Sequence, residues 1–381
     1  MTIKRFVSLL LTVMMLTMGV SFAAAEDTIK VGHIAPMTGA IAAYGTAVAN
    51  GVDLAVSEIN AAGGILGKQV EVVLKDNQFD VAETVNAFNA LLGEDVVAII
   101  GAVASSRTSA ITGLANDEGV VLITATSTAD SITTEDDYVF RACFKDSFQG
   151  KMCAAFAASQ GWTKAAILYA TGDAYSSGLR DAFLAAAPEY GIEIVAEQST
   201  SDTQTVDFSS QMATIAASGA QVLFAPYYYD SVGPKIIPQA REAGFEGAII
   251  GADGFDGTQD YAVGDLAAYH DVYFTNHYSP EDPSEKVQNF IASYTAKYDP
   301  ASLNALAALA YDAMYMVAQA IETAGSTDRA AVRDAMAGMH FVGVTGDMTL
   351  DETGTPAKSV AILTFVAQDG KLVQKFVTSQ Q

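Results

Sequence analysis

Short runs of β-branched and aliphatic residues alternate along the chain with longer stretches whose apolar positions recur every three to four residues. In the first third, residues 28–35, 70–75, 96–100 and 120–124 read as buried strands, and 44–61, 81–92 and 105–116 as amphipathic helices. A second series follows Asp146, which is placed to cap a helix over 148–159. Strands are expected at 165–169, 192–197, 221–225 and 248–251, with helices at 175–187, 208–218 and 232–243 between them. Pro234 and Pro238 fall inside the last of these, so it should kink or start late. The remainder predicts a strand at 271–275, a charged helix at 284–298 and a helix apolar on most faces at 303–324. A helix at 327–338 and a hairpin of 360–366 and 371–377 around Asp369-Gly370 complete the chain.

Strictly alternating strands and helices imply parallel sheets built from βαβ units. With 381 residues in two such series, the expected architecture is α/β, with two doubly wound parallel-sheet lobes. No Pro- or Ser-rich linker separates the series, so short crossovers are expected near 141–145, 275–278 and 351–356. That assigns 26–145 plus 277–352 to one lobe and 146–276 plus 353–381 to the other, with a cleft and a hinge between them.

Residues 1–25 do not belong to this pattern. Lys4 and Arg5 precede an apolar stretch over 6–20, and Ala23-Ala24-Ala25 has the small side chains of an export-signal cleavage site. Cleavage after Ala25 removes two bases and no acid, so the net charge of −24 becomes −26. No cysteine stands at that site for a lipid anchor, and a free, exported, soluble protein is expected. With 44 acidic against 20 basic residues, nucleic acid is a poor partner. Cys143 and Cys153, ten residues apart, are compatible either with a disulfide or with two buried thiols. Together with four scattered histidines they give no metal-ligand spacing, and no cofactor is expected.

Catalytic signatures are missing from the sequence: no Gly-rich nucleotide turn, no P-loop and no Gly-x-Ser-x-Gly elbow. The histidines, His33, His270, His277 and His340, have no partner suggested by spacing. A two-lobed hydrolase or dehydrogenase is therefore the weaker reading, and no second membrane span supports a receptor sensor domain. Binding groups, in contrast, fall at the ends of strands, where doubly wound sheets place ligands. Ser105 follows one strand and opens a helix, and the run from Thr124 to Thr128 follows the next. Tyr44, Tyr175 and Tyr227-Tyr228-Tyr229 stand in loops after other strands, and Asp253 follows the strand ending at Ile250. Hydroxyls and helix N–H groups suit a carboxylate, an aspartate on the facing lobe suits an ammonium, and tyrosines supply flat walls. The set fits a zwitterion. Arg107, two residues past Ser105, is placed either to enter the cleft and favour a polar ligand or to face solvent.

The stretches Val31-Gly32-His33-Ile34-Ala35-Pro36-Met37-Thr38-Gly39, Asn60-Ala61-Ala62-Gly63-Gly64-Ile65-Leu66-Gly67, Phe140-Arg141 with Asp146 and Gln149-Gly150, Tyr175-Ser176-Ser177-Gly178-Leu179 and Gly251-Ala252-Asp253-Gly254 carry a resemblance. Over about residues 29–365 the chain resembles the periplasmic binding proteins of the Leu/Ile/Val-binding type, receptors of amino-acid ABC importers. The resemblance implies two α/β lobes joined by three crossovers, closing over a free amino acid, branched-chain or otherwise aliphatic. It implies Ser105 and Thr128 as carboxylate ligands with backbone help from Val103 and Thr126, Tyr175 and Asp253 on the ammonium side, Tyr44 and Tyr228 as pocket wall, and Leu306 as a side-chain contact. It further implies a monomer that hands its ligand to a membrane ABC permease, without catalysis. Asp253 stands where these proteins commonly have Glu, and Phe79 and Ala104 stand where some have a cysteine pair. A receptor of the same fold for another small solute, such as an amide, urea or an aromatic acid, is the alternative.

Overall fold

The computed structural model describes residues 28–133 and 138–381; the export signal expected over 1–25 lies outside the described residues. Five parallel strands form the first sheet: β1 (Ile29–Ala35), β2 (Val70–Asp76), β3 (Ala98–Ile100), β4 (Val121–Thr124) and β5 (Val139–Arg141), in the order β2-β1-β3-β4-β5. Helices α1 (Ala42–Ala61), α2 (Val81–Leu92) and α3 (Ser105–Asp117) connect them. Val31, Ile100 and Ile123 pack into one apolar cluster with α1, while Ile34, Ile99 and Leu122 pack into another with α2 and α3. Both faces of the sheet are thus covered, and the inner strands β3 and β4 read as nearly unbroken apolar runs.

The second sheet orders seven strands β14-β13-β10-β9-β8-β6-β7. Its parallel part comprises β6 (Lys164–Ala170), β7 (Glu193–Thr200), β8 (Val222–Phe224), β9 (Ala248–Gly251) and β10 (Val272–Asn276). Helices α4 (Asp146–Ser159), α5 (Ala174–Ala186), α6 (Ser209–Ala217) and α7 (Ile237–Glu242) flank it. The proline-bearing segment takes a π-helical turn over Val232–Ile236 before α7 begins. Pro234 and Pro238 lack the N–H groups a regular helix would need there.

The chain then returns to the first sheet. Helices α8 (Glu285–Lys297), α9 (Ala305–Ala324) and α10 (Arg329–Met336) follow β10, and α9 packs along α1. The two helices touch at Gly51, where a Cβ would stand 2.2 Å from the Ala307 carbonyl oxygen. A hairpin that the apolar pattern did not reveal, β11 (His340–Gly343) with β12 (Gly346–Thr349), is pinned to α9. The buried Asp312 carboxylate accepts the backbone N–H groups of Val344 and Thr345, each at 2.8 Å. The chain finally crosses back to β13 (Val360–Gln368) and β14 (Lys371–Gln380), an antiparallel edge on the second sheet.

Three passages therefore link the sheets, after β5, after β10 and before β13. They are stitched together. Arg141, fully buried, donates to the Thr128 and Ala129 carbonyls, and its own N–H donates to the Gly354 carbonyl at 3.0 Å. Lys358 donates to the Ala142 carbonyl and the Thr345 hydroxyl, and burial pushes its pKa down to about 8. Cys143 and Cys153 are free buried thiols, one beside the Ser127 carbonyl and the other beside that of Gly251.

Candidate functional site

A small cavity lies where the strand ends of the two sheets face each other. Eight of the residues expected at the site line it: Tyr44, Val103, Ser105, Thr126, Tyr175, Tyr228, Asp253 and Leu306. Ile41, Ala104 and Gly254 complete the lining. The lining residues sit in the turns after strands or in the first turns of the helices that follow, and Leu306 is inserted by the first turn of the returning α9.

The wall from the first sheet is neutral. After β3 the backbone turns through Val103, whose φ of 73° lies in the left-handed region that β-branched residues rarely occupy. Its carbonyl accepts from the Thr126 hydroxyl at 2.8 Å and the Ser127 hydroxyl at 2.9 Å, and these bonds hold the turn. Ser105 is the first residue of α3, and its hydroxyl accepts the Ala129 N–H at 3.2 Å. The first turn of α3 offers backbone donors without intrahelical partners and the positive end of the helix dipole. No lysine or arginine belongs to the lining. A carboxylate here would be held by dipoles alone.

Thr128, expected beside Ser105, is not in the lining. Its carbonyl accepts the Asp146 N–H and a bond from Arg141, each at 2.9 Å. Its buried hydroxyl and both oxygens of the buried Asp146 carboxyl lack hydrogen-bond partners of normal geometry. Asp146 is the first residue of α4 rather than its cap, a position taken by Lys145. Burial pushes the Asp146 carboxyl far up, while the Thr128 hydroxyl pulls it down and Asp253 adds to the rise.

The wall from the second sheet is acidic. Asp253 follows β9 and is held on both oxygens: Gln149 Nε2 donates to Oδ1 at 3.1 Å, and His277 Nε2 lies 3.0 Å from Oδ2. Gln149 Oε1 in turn accepts the Asp253 N–H at 2.9 Å and the Thr275 hydroxyl at 2.7 Å. His277 is buried and stacked on Phe144 with ring centroids 3.8 Å apart. Burial lowers its pKa, and Asp253 offsets only part of the fall. A neutral ring in the Nε2–H tautomer serves Asp253 as a donor, and each carboxyl oxygen keeps lone pairs for another donor.

Tyrosines close the sides. Tyr175, in the first turn of α5 rather than in the loop, stacks on Tyr228 at 5.0 Å, and Tyr44 meets Tyr228 edge-on at 6.5 Å. The Tyr175 hydroxyl accepts the Gly254 N–H at 2.7 Å. A Cβ at Gly254 would come within 2.7 Å of that hydroxyl, so only glycine fits. The Tyr44 hydroxyl reaches across the cleft to the carbonyls of Gly254 (2.8 Å) and Asp256 (2.9 Å). Tyr227 points away and pairs with the Thr200 hydroxyl.

Arg107 takes neither expected course. It lies along the lobe boundary, bonded to the Phe79 carbonyl and paired with Asp173 of the other lobe. The pairing of His277 with Asp253 is also new. Adjacency of β9 and β10 brings the residues after both strands together, a relation that appears only once the sheet order is known. Among the described residues, no group of three His, Cys, Asp or Glu could hold a metal ion, and no helix is long and apolar enough to cross a membrane.

A profile of the periplasmic binding protein family matches residues 28–371. The chain is 31% identical to Leu/Ile/Val-binding protein homolog 3 of Brucella melitensis, over 94% of this chain and 96% of the relative. It is 34% identical to the branched-chain amino acid substrate-binding protein LivJ of Streptococcus pneumoniae, solved with isoleucine. That likeness covers 92% of this chain and 99% of the other, with a TM-score of 0.82. A solute-binding protein of Rhodopseudomonas palustris solved with 3,4-dihydroxybenzoic acid is 25% identical, with a TM-score of 0.84 over 93% and 98% of the two chains.

Proposed function

The chain belongs to the periplasmic binding protein family, and from that premise we propose that it is the receptor of an ABC importer for a free aliphatic α-amino acid. It is exported by its first 25 residues, works in the periplasm as a monomer and passes its ligand to a membrane permease. The observation that carries this reading is the contrast between the two walls of one small cavity. The neutral wall of Ser105, Thr126 and the start of α3 takes the carboxylate. Asp253, held by Gln149 and His277, takes the ammonium. Ile41 and Leu306 supply an apolar end for a short side chain. Ligand contacts to both walls favour the closed arrangement by differential affinity.

A thermal-shift panel of the common amino acids tests this. One site at a hundred times its dissociation constant adds about 2.7 kcal/mol to stability, and branched-chain amino acids should raise the melting temperature most. The stacked pair Tyr175–Tyr228 favours a second reading, an aromatic acid seated against it. Such a ligand has no ammonium and would leave Asp253 facing the cavity without a counter-charge. If dihydroxybenzoate shifts the melting temperature and no amino acid does, the second reading replaces the first.

A further inference from the structure

At the lip of the cavity, outside its lining, four residues bind the lobes together. Arg107, in the first turn of α3, is fixed on its own lobe: Nε and Nη2 donate to the Phe79 carbonyl at 3.0 and 2.7 Å. Its guanidinium also lies 3.6 Å above the Phe79 ring. From there Nη1 reaches Asp173 Oδ2 on the other lobe at 3.6 Å. Ser106 donates to the same oxygen at 3.3 Å and accepts the Ala174 N–H at 2.9 Å, so a side chain of the first lobe satisfies a first-turn donor of α5. The other oxygen, Oδ1, accepts the Ser176 N–H at 3.1 Å and the Tyr228 hydroxyl at 3.3 Å.

This is not an ordinary surface ion pair. The Asp173 side chain is 4% exposed and that of Arg107 17%. The guanidinium is already locked by Phe79, so pairing immobilises little that is not immobile in its own lobe. One carboxylate thus joins three things: the α5 cap, the contact across the cleft and the hydroxyl of a cavity-wall tyrosine. We infer that Arg107, Ser106 and Asp173 form the latch that holds the cleft closed, with Asp173 also acting as a positioning residue for the Tyr228 hydroxyl. The latch touches no ligand, so it governs how long a ligand stays rather than how fast it arrives.

The inference rests on the reading that the cavity holds an amino acid, and the test separates the two. Radiolabelled isoleucine is bound, chased with excess unlabelled isoleucine, and its release timed for wild type, Arg107→Met, Asp173→Asn and the double variant. Asparagine keeps the α5 cap, so Asp173→Asn removes charge without removing the helix start. Circular-dichroism melts verify folding. Each single change should speed release on the order of tenfold, with association within about twofold of wild type, and the double variant should release no faster than the worse single one. Unchanged release in Arg107→Met, or effects that multiply in the double variant, overturns the latch. If wild type retains no amino acid, the ligand reading fails instead. The latch is then read by small-angle X-ray scattering: Arg107→Met must have the larger radius of gyration, and equal radii overturn it.

Discussion

The two walls of the cavity solve opposite problems with different materials. The first-sheet wall presents no formal charge; its donors are hydroxyls and backbone groups fixed by bonds such as Thr126 to the Val103 carbonyl. The second-sheet wall presents Asp253, with the carboxyl groups of Asp146 behind it and Asp173 at the lip. An arginine on the neutral wall would also bind a carboxylate, and more strongly. In an empty protein, however, it would face Asp253 across a small cavity and draw the lobes shut on nothing. Neutral donors cannot form that pair. The asymmetry keeps both half-sites available until a zwitterion bridges them, and the charge pair across the cleft mouth, Arg107 with Asp173, stands apart from the ligand position.

The sharpest way to break the contrast is to make both walls neutral. Asp253→Asn keeps the shape and one hydrogen-bond acceptor but removes the charge opposite the ammonium. Amino-acid affinity should fall by about 2 to 5 kcal/mol, measured by isothermal titration with isoleucine. Folding should be little affected, because the amide oxygen can keep the bond from Gln149 while the amide NH2 faces His277 Nε2, which accepts in the other neutral tautomer. Unchanged affinity would place Asp253 outside the site and leave the walls without functional asymmetry.

A second contrast concerns the buried histidines. His33 in β1 is bonded through Nδ1 to the Ile100 carbonyl at 3.0 Å, and burial pushes its pKa down to about 4. His277 is also lowered by burial, but Asp253 raises it again. The folded pKa of His33 lies below the unfolded value of 6.5, so unfolding takes up a proton between those values. Its contribution is complete above pH 6.5 and is lost as pH falls towards 4, up to about 3 kcal/mol. The buried carboxyls of Asp146, Asp256 and Asp312, pushed up by burial, act in the opposite sense. The comparison of His33→Gln with wild type therefore isolates the histidine. Urea midpoints at pH 7 and pH 4.5 should fall less for His33→Gln than for wild type, and His277→Gln should flatten the dependence by a smaller amount. Parallel pH profiles for all three proteins would contradict the assignment.

What the sequence made legible, and what it hid, divides along the range of the interactions. The turn at 101–104 and the hydroxyls after β4 could be placed because a strand ending in small residues before a serine is a local pattern. The rule that doubly wound sheets bind at strand ends then gathered Tyr44, Tyr175, Tyr228 and Asp253 into one place. Contacts fixed by sheet order or lobe closure left no such trace. His277 meets Asp253 only because β9 and β10 are neighbours, and Arg107 meets Asp173 only because the lobes are shut. The bonds that hold Thr128 left no trace either, since its carbonyl accepts from Arg141 and from the Asp146 N–H, partners that only the fold brings together. The β11–β12 hairpin escaped because its stability comes from Asp312 on a distant helix rather than from its own apolar alternation.

The smallest expected effect probes the neutral wall itself. Ser105→Ala removes one hydroxyl that accepts the Ala129 N–H and stands at the start of α3. The backbone donors of the helix remain, and so does the helix dipole, because neither depends on the side chain. If the wall works by many weak dipoles, the loss should be about 1 kcal/mol in isoleucine affinity, well below that of Asp253→Asn. The ordering of the two is the test, since a wall of distributed dipoles tolerates the loss of one member while a single charge has no substitute. Should titration with isoleucine instead show Ser105→Ala to be as damaging as Asp253→Asn, the carboxylate would depend on that one hydroxyl, and the walls would differ in charge but not in how their binding energy is shared.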